Sequence, residues 1–541
     1  MTGPKARLRS ILGRIPGTAE AYQTVLADGR QPAGGYQLDR LQAVLPSWIE
    51  SALTTSGQER RLPAKRVLVV GYLPWWLEYA AALSVLLASQ GCKVGLGYVP
   101  YRKWTESVAA FDRRRQSAYI REAMASASRL IRLHDLSAPG ELSTPPELTE
   151  HLERLSRGDV QYTFQREGPD LAPGKAAFEL YELRKERNLA AASSTLGLLN
   201  DGGYEVVVIP NGSILEFGAA FQAAQWFGAK SVTYEFGEQR ERMWVAQGEE
   251  VMRQNTSAFW QDRGQVELTE SEYARLESMY AARRSGERGA RFARQWQAAP
   301  SRGAQSAKEE LGLDPTRPLA LLCTNVVGDS LALNRQVFTD GMAEWLALTA
   351  KHFEDPSAGQ LVVRVHPGEM LGAGHPSADI VRSALPAMPG HVIVVEPDSD
   401  INTYDLIELA DVGLVYTSTV GLEMAMAGVP VVVAGETHYR GKGFTNDPSS
   451  EGEYLEIMDR LLSDRNNSRL SSEERGLATR YAYRFFFEYP FPFPWHLIGF
   501  WEDLDARPME SVIKSPGAYM ETIRAMVGEP INWSAERLVH G

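Results

Sequence analysis

Short β-branched apolar runs, each ending in a turn residue and each followed by a helix-length stretch, recur along this chain and restrict it to a parallel α/β architecture. RVLVVGY (66–72) leads into Leu77–Gln90, and KVGLGYV (93–99) follows. YEVVVIPNG (204–212) leads into Ile214–Phe227 and then AKSVTYEFGE (229–238). After LDPTRP a second series begins with PLALLCTN (318–325), a helix over Val337–His352, QLVVRVHP (360–367) and HVIVVEP (391–397). It continues through TYDLIELA, VGLVYTS (412–418), TVGLEMAMAG and VPVVVAG (429–435). Strands alternating with helices predict parallel sheets joined by crossovers, and 541 residues are too many for one core. The expected division is a helical lead-in over 1–60 (helix from Leu38 to Leu53), a Rossmann-like domain over 61–265 and a helical linker over 266–315. A second Rossmann-like domain over 316–465 and C-terminal helices over 466–541 complete it. Ala109–Leu133, Pro146–Gly158 and Phe178–Asn200 read as helical.

The formal net charge of −12 removes the general attraction to phosphate backbones that nucleic-acid binding needs; a local basic pocket for a phosphorylated ligand stays open. Two cysteines, Cys92 and Cys323, allow neither a disulfide framework nor a cysteine zinc site. The opening MTGPKARLRSILGRIPG is basic without an apolar core of secretory length. The most apolar stretch, 67–89, is broken by Pro74 and Glu78 and reads as a strand and a buried helix. Cytoplasmic residence is the expectation. There is no HExxH, and Asp398-Ser-Asp400 reads as a turn, so no metal site is expected. A P-loop is absent too.

Chemistry concentrates where strands end. Thr417-Ser418-Thr419 closes a strand and opens a helix, where free backbone N–H groups and hydroxyls suit a phosphate; Ser418 or Thr419 equally suits an ordinary helix cap. Glu423, one turn on, can accept hydrogen bonds from ribose hydroxyls or act as a first-turn acid. Arg364 and His366 lie near the end of VVRVHPGE, suited to phosphate and to charge on a departing group. The loop GETHYRGKGFT supplies Arg440 and Lys442 between glycines, and Asn325, before Gly328, ends the first strand of this series. In the first half, Glu235 and Glu238 follow a strand as candidate bases, or as a solvated acidic loop. Asn211 also ends a strand, and Glu78 lies beside Trp75 and Trp76, a carboxylate among aromatic faces that suits a sugar, unless the rings are core.

VRVHP (363–367), TYDLIELADVGLVYTSTVGLEMAMAG (403–428) and HYRGKGFT (438–445), in that order, resemble the capsule polysaccharide biosynthesis proteins, which include β-Kdo transferases. Tyr439, Gly441, Gly443 and Thr445 match the family's loop, while Lys442 stands where tryptophan is usual and Leu422 where phenylalanine is. The resemblance implies a GT-B fold, two Rossmann-like domains facing across a cleft, with the last helices crossing back near Phe485–Trp495. It implies donor phosphate at His366, Ser418 and Thr419, and nucleotide sugar at Glu423. It further implies a metal-independent glycosyltransferase that takes a CMP-sugar such as CMP-Kdo, or a UDP- or GDP-sugar, as substrate and needs no cofactor. The acceptor would be a surface polysaccharide or glycolipid, and peripheral attachment to a membrane polysaccharide-assembly complex is compatible. A teichoic-acid-type polyol-phosphate transferase, a sugar-nucleotide epimerase and a non-catalytic sugar-nucleotide-binding subunit share parts of this pattern.

Overall fold

The structure, a computed structural model, describes the chain apart from residues 1–11, 14, 28, 29, 33, 57–61, 74, 238, 286–299, 372–375, 465–468 and 535–541. The strands of the first half are β1 (Arg66–Val70), β2 (Lys93–Tyr98), β3 (Ile131–Asp135), β4 (Val206–Pro210), β5 (Lys230–Glu235) and β6 (Arg242–Gln247). Those of the second half are β7 (Leu319–Cys323), β8 (Gln360–Arg364), β9 (Val392–Val395), β10 (Val412–Val415), β11 (Val431–Val433) and β12 (Phe491–Pro492). One sheet runs β12-β6-β5-β4-β1-β2-β3, the other β11-β10-β7-β8-β9. The second sheet is parallel throughout, and the first is parallel from β5 to β3 with β6 and β12 antiparallel at one edge. These are the two Rossmann-like sheets that the strand–helix alternation predicts. β4 and β7 are buried along their whole length because helices cover both faces.

Strand order reverses beside β1 in the first sheet and beside β7 in the second. A crevice opens at the carboxyl ends of the strands at such a switch point. In the first sheet it receives the loops carrying Trp75 and Asn211, in the second those carrying Asn325 and Thr417.

Two strands depart from the expected pattern. Within Ala109–Leu133, expected to be helical, the helix stops at Ala123 and β3 begins at Ile131. As an edge strand it needs only one paired side and one apolar face, so its sequence, IRLHD, carries no β-branched run. β6 lies in a stretch to which no element was assigned from sequence.

The expected linker does not span open space. Leu268, Leu276, Met279 and Ala307 share one core with Leu319 and Leu321 of β7. The C-terminal segment divides its packing: Ala478, Tyr481, Phe485 and Tyr489 join that second core. Phe491, Phe493, Trp495, Phe500, Met509 and Ile523 join the core of the first sheet. The chain thus crosses back between the halves and completes the first sheet through β12. A second tie is Glu167, which follows the helix Pro146–Phe164; its carboxylate accepts from the N–H groups of Met342 (2.9 Å) and Ala343 (2.6 Å), opening the helix Met342–His352. Gly328, at φ +77°, lies so close to the first half that a Cβ would sit 2.5 Å from the carbonyl oxygen of Gln161.

Under the first crevice lies a fully buried ion cluster. Arg184 Nη2 meets Glu216 Oε2 at 2.8 Å and its Nε meets Asp159 Oδ2 at 3.1 Å. Asn188, Tyr101 and the backbone N–H of Leu215 donate to the same two carboxylates. Burial opposes ionisation of Glu216, but the Arg184 guanidinium overrides it and holds the carboxyl down at about 2. Replacing Arg184 with Met should cost about 3–5 kcal/mol at neutral pH, because two buried carboxylates lose their cation. Without Arg184 the folded-state carboxyl pKa values rise above the unfolded ones, so the deficit should shrink as pH falls. Urea unfolding at neutral and mildly acidic pH checks both statements; a deficit that does not change with pH would contradict the second.

Candidate active site

A cleft of about 940 Å³ lies between the carboxyl ends of the two sheets. The second half contributes Asn325, Asp329, His366, Thr417, Ser418 and Thr419; the first half contributes Tyr162, Gly237, Gln239, Arg242 and Trp244. Arg283 and Phe486 complete the lining from the connecting segments.

On the second-sheet side four loops are bonded into one surface. Thr417 N–H donates to Asn325 Oδ1 (3.1 Å), joining the loops after β10 and β7 at the switch point. His366 N–H donates to Thr324 Oγ1 (2.9 Å). Buried Tyr439, from the glycine-rich loop, donates to the carbonyl of Ser418 (2.6 Å). Gly368 N–H donates to His366 Nδ1 (3.0 Å), which places the proton of a neutral imidazole on Nε2 and makes that atom a donor.

The helix start at Thr419 differs from expectation. The helix Val420–Met426 is seven residues long, and its first amides are partly spent. Val420 N–H reaches Ser418 Oγ at 3.4 Å, and those of Gly421 and Leu422 fold back onto the carbonyls of Ser418 and Thr419. Thr419 makes no side-chain cap bond. What this tip brings to the cleft is therefore its hydroxyls more than a row of amides.

Three other expected donor residues do not line the cleft. Glu423 is buried and accepts from Arg283 Nη1 at 2.6 Å, so it reaches the cleft only through that cation. Arg283 itself lies with its guanidinium carbon 4.7 Å over the ring of Phe486. Arg364 is buried and donates from Nη1 to the carbonyl of Glu396 at 2.5 Å. Lys442 reaches Ser257 Oγ at 3.4 Å, and Arg440 donates to the carbonyls of Val433 and Pro448. A motif gives a residue's place on the chain, whereas these side chains point along the loops that they brace.

On the first-sheet side Glu235 ends β5 just before Gly237. Phe236 N–H donates to its Oε1 (3.0 Å) and Asn211 Nδ2 to its Oε2 (3.2 Å). Burial pushes the Glu235 carboxyl up to about 7; those two donors oppose the shift, and the charge of Asp329 adds to it. Asp329 is also raised, chiefly by burial. Asn211, expected to touch acceptor, is instead occupied: at φ 59° it takes Ser213 N–H on Oδ1, which turns its amide nitrogen to Glu235. Glu238 lies outside the described residues.

The remaining acceptor candidates separate. Trp75 is 67% exposed at φ 72°, a strained backbone for a bulky residue. Trp76 packs on Phe217, Tyr234 and Phe236 as core. Glu78 is buried with Trp501 Nε1 3.4 Å from its Oε2, away from the cleft lining; burial pushes its carboxyl up to about 7. Asp329 and Arg283 went unnoticed in sequence. Asp329 follows Asn325 by four residues in VVGDS, an acid just past a strand end and thus a readable signal, whereas nothing near Arg283 marked it. Asp398 lies in a turn, as expected. Among the described residues no three His, Cys, Asp or Glu side chains are grouped to hold a metal ion, and no helix is long and apolar enough to cross a membrane.

Comparison with known proteins bears on the second half. Residues 295–466 match the family described as capsule polysaccharide biosynthesis protein. No curated protein matches the chain. Among solved structures, the chain is similar to the Thermosulfurimonas dismutans KpsC β-Kdo 2,4 transferase, at 18% identity over 51% of this chain and 79% of that one, with a TM-score of 0.31. It is similar to the UDP-GlcNAc 2-epimerase of Neisseria meningitidis at 12% identity over 78% and 99%, TM-score 0.24. Acinetobacter baumannii MurG is similar at 12% identity over 77% and 95%, TM-score 0.26. The two-sheet architecture itself stands on the strand order. Over residues 295–466, which build the second sheet and the loops facing the cleft, this chain carries the signature of the capsule polysaccharide biosynthesis proteins.

Proposed function

We propose that this chain is a glycosyltransferase of surface-polysaccharide synthesis. It moves a sugar from a nucleotide-activated donor, a CMP-sugar such as CMP-Kdo or a UDP- or GDP-sugar, to a polysaccharide or glycolipid acceptor, without a metal. The support is one cleft that sets a hydroxyl, amide and imidazole surface from the second sheet opposite the loop after β5; Glu235, just before that loop, does not itself line the cleft but is a protonatable carboxylate that feels the charge of the lining residue Asp329.

In this reading the donor phosphate rests against Ser418, Thr419 and Asn325, with His366 Nε2 donating to it. As the bond between the anomeric carbon and the phosphate oxygen breaks, its electron pair stays on the phosphate. The His366 donor and the Arg283 charge offset that developing negative charge. A bond forms between the acceptor oxygen and the anomeric carbon, and the acceptor proton passes to Glu235. A carboxyl with a pKa near 7 suits that task, since it is ionised at working pH yet basic enough to take a proton. Asn211 and the Phe236 amide hold Glu235 in place, and Glu423 holds Arg283.

Incubated with its donor, the protein should slowly release nucleotide and free sugar, and a chelator should leave the rate unchanged. An isomerised sugar still joined to nucleotide would mark an epimerase, and saturable binding with no turnover a binding subunit. Transfer of a polyol phosphate would mark the teichoic-acid-type reaction. His366→Ala should lower turnover by about 10²-fold, the scale for losing one donor to a developing oxyanion; a folded variant with full turnover would remove His366 from the site.

With the acceptor base ionised only above its pKa, kcat/KM for transfer should fall as pH drops below about 7. Glu235→Gln should abolish most transfer together with that acid limb while sparing donor affinity. A variant that keeps both transfer and the limb would exclude Glu235 as the base.

A further inference from the structure

Two hollows beyond the cleft lie along one face of the long helix Ala176–Gly202. The nearer, about 460 Å³, shares Thr163 and Phe164 with the cleft and is floored by Glu179, Leu180 and Leu183. The farther, about 950 Å³, continues on the same helix with Glu186, Leu189, Ala190 and Ser193. From Glu179 to Ser193 the helix rises about 21 Å at ~1.5 Å per residue. The three spaces thus follow one another along this helix, from the cleft outward.

The far hollow has a built wall. The loop after β3 is pinned at one end by Asp135, which accepts from Ser137 N–H (2.9 Å) and Ser137 Oγ (2.6 Å). At the other end Ser193 Oγ donates to the carbonyl of Leu142 (2.6 Å). Gly140 permits the close approach: a Cβ there would lie 2.5 Å from the Ser193 carbonyl oxygen. Opposite this wall, Arg114 is bound to Glu20, whereas the Arg113 guanidinium has no hydrogen-bond or ion-pair partner among the described residues. At the junction with the cleft Phe164 stays 38% exposed.

We propose that this groove is an extended acceptor track that binds the already-formed oligosaccharide chain while its end sits at Glu235; the inference rests on the transferase reading above. The lining matches a carbohydrate. Hydroxyls of Ser137, Ser143 and Thr144 and the guanidinium of Arg113 can exchange hydrogen bonds with sugar hydroxyls or carboxylates. Phe164 offers an aromatic face to a sugar's C–H face. Carboxylates of Glu141 and Glu186 among the arginines make the groove mixed in charge, unlike a nucleic-acid track.

The test uses oligosaccharides from partial hydrolysis of the source organism's surface polysaccharide, fractionated into short (two-unit) and long (eight-unit) pools and end-labelled. Fluorescence anisotropy should show the long pool binding more tightly than the short. Ala190→Trp, which fills the far hollow, and Arg113→Ala should each weaken long-pool affinity about tenfold, the scale of one lost charged hydrogen bond, and leave the short pool unchanged. In transfer assays the same variants should raise KM for long acceptors with kcat kept. Equal affinity of the native protein for both pools, or long-pool binding untouched by both variants, overturns the track. Binding is read without turnover, so a protein that discriminates length but never cleaves a donor sinks the transferase reading and leaves the track standing.

Discussion

Arg184 has no surface in water, and the cluster around it determines where the first-half loops can lie. A buried guanidinium with two carboxylates is a poor source of net stability, because desolvation offsets most of the attraction. Its effect is geometric. Asp159 and Arg184 come from two crossing helices, Tyr72 and Tyr101 follow β1 and β2, and Leu215 and Glu216 follow β4. Leu215 stands at φ 56°, a conformation that a leucine keeps only when its surroundings hold it there. The same turn begins with Asn211, whose amide orients Glu235. A salt bridge beneath the sheet is in this way connected, through one strained turn, to the carboxylate assigned the acceptor proton.

How the halves meet is decided elsewhere. The aromatic run from Tyr481 to Trp495 belongs to both cores, and Glu167 caps a helix of the other half. Gln239, on the cleft wall, donates to the carbonyl of Phe486, and Arg242 to that of Pro490 (3.1 Å). The crossing segment is therefore part of the cleft as well as the tie between domains. Buried His438 illustrates how dry that seam is: burial holds its imidazole down at about 3, so it stacks on Phe485 as a neutral ring, 3.8 Å between centroids.

The fold was legible because parallel strands buried on both faces must be written as continuous β-branched runs, and each such run here names a strand. β3 and β6 were not, since an edge strand and a strand beside a crossing segment need no such run. The site was legible in part. His366, Asn325, Ser418 and Thr419 lie at carboxyl ends of strands, where topology alone brings residues together. Arg364, Glu423 and Lys442 belong to the same motifs, yet their side chains turn to Glu396, Arg283 and Ser257. One dimension of sequence carries the position of a side chain but not its direction. Arg283 needed the third dimension entirely, because it shares no motif with Glu423, which it faces, whereas Asp329 was readable as an acid just past a strand end.

Glu235 and Asp329 are the consequence that sequence could least supply. Glu235 belongs to the first half and Asp329 to the second; burial raises both carboxyls, and the charge of Asp329 adds to the shift of Glu235. Tyr162 between the halves feels the same field: burial first, then the charges of Asp329 and Glu235, push its phenol up to about 12. The proton affinity of Glu235 thus depends on how far it lies from Asp329 as well as on its burial. Their separation is set by the relative placement of the two sheets, which Glu167 and the crossing segment hold.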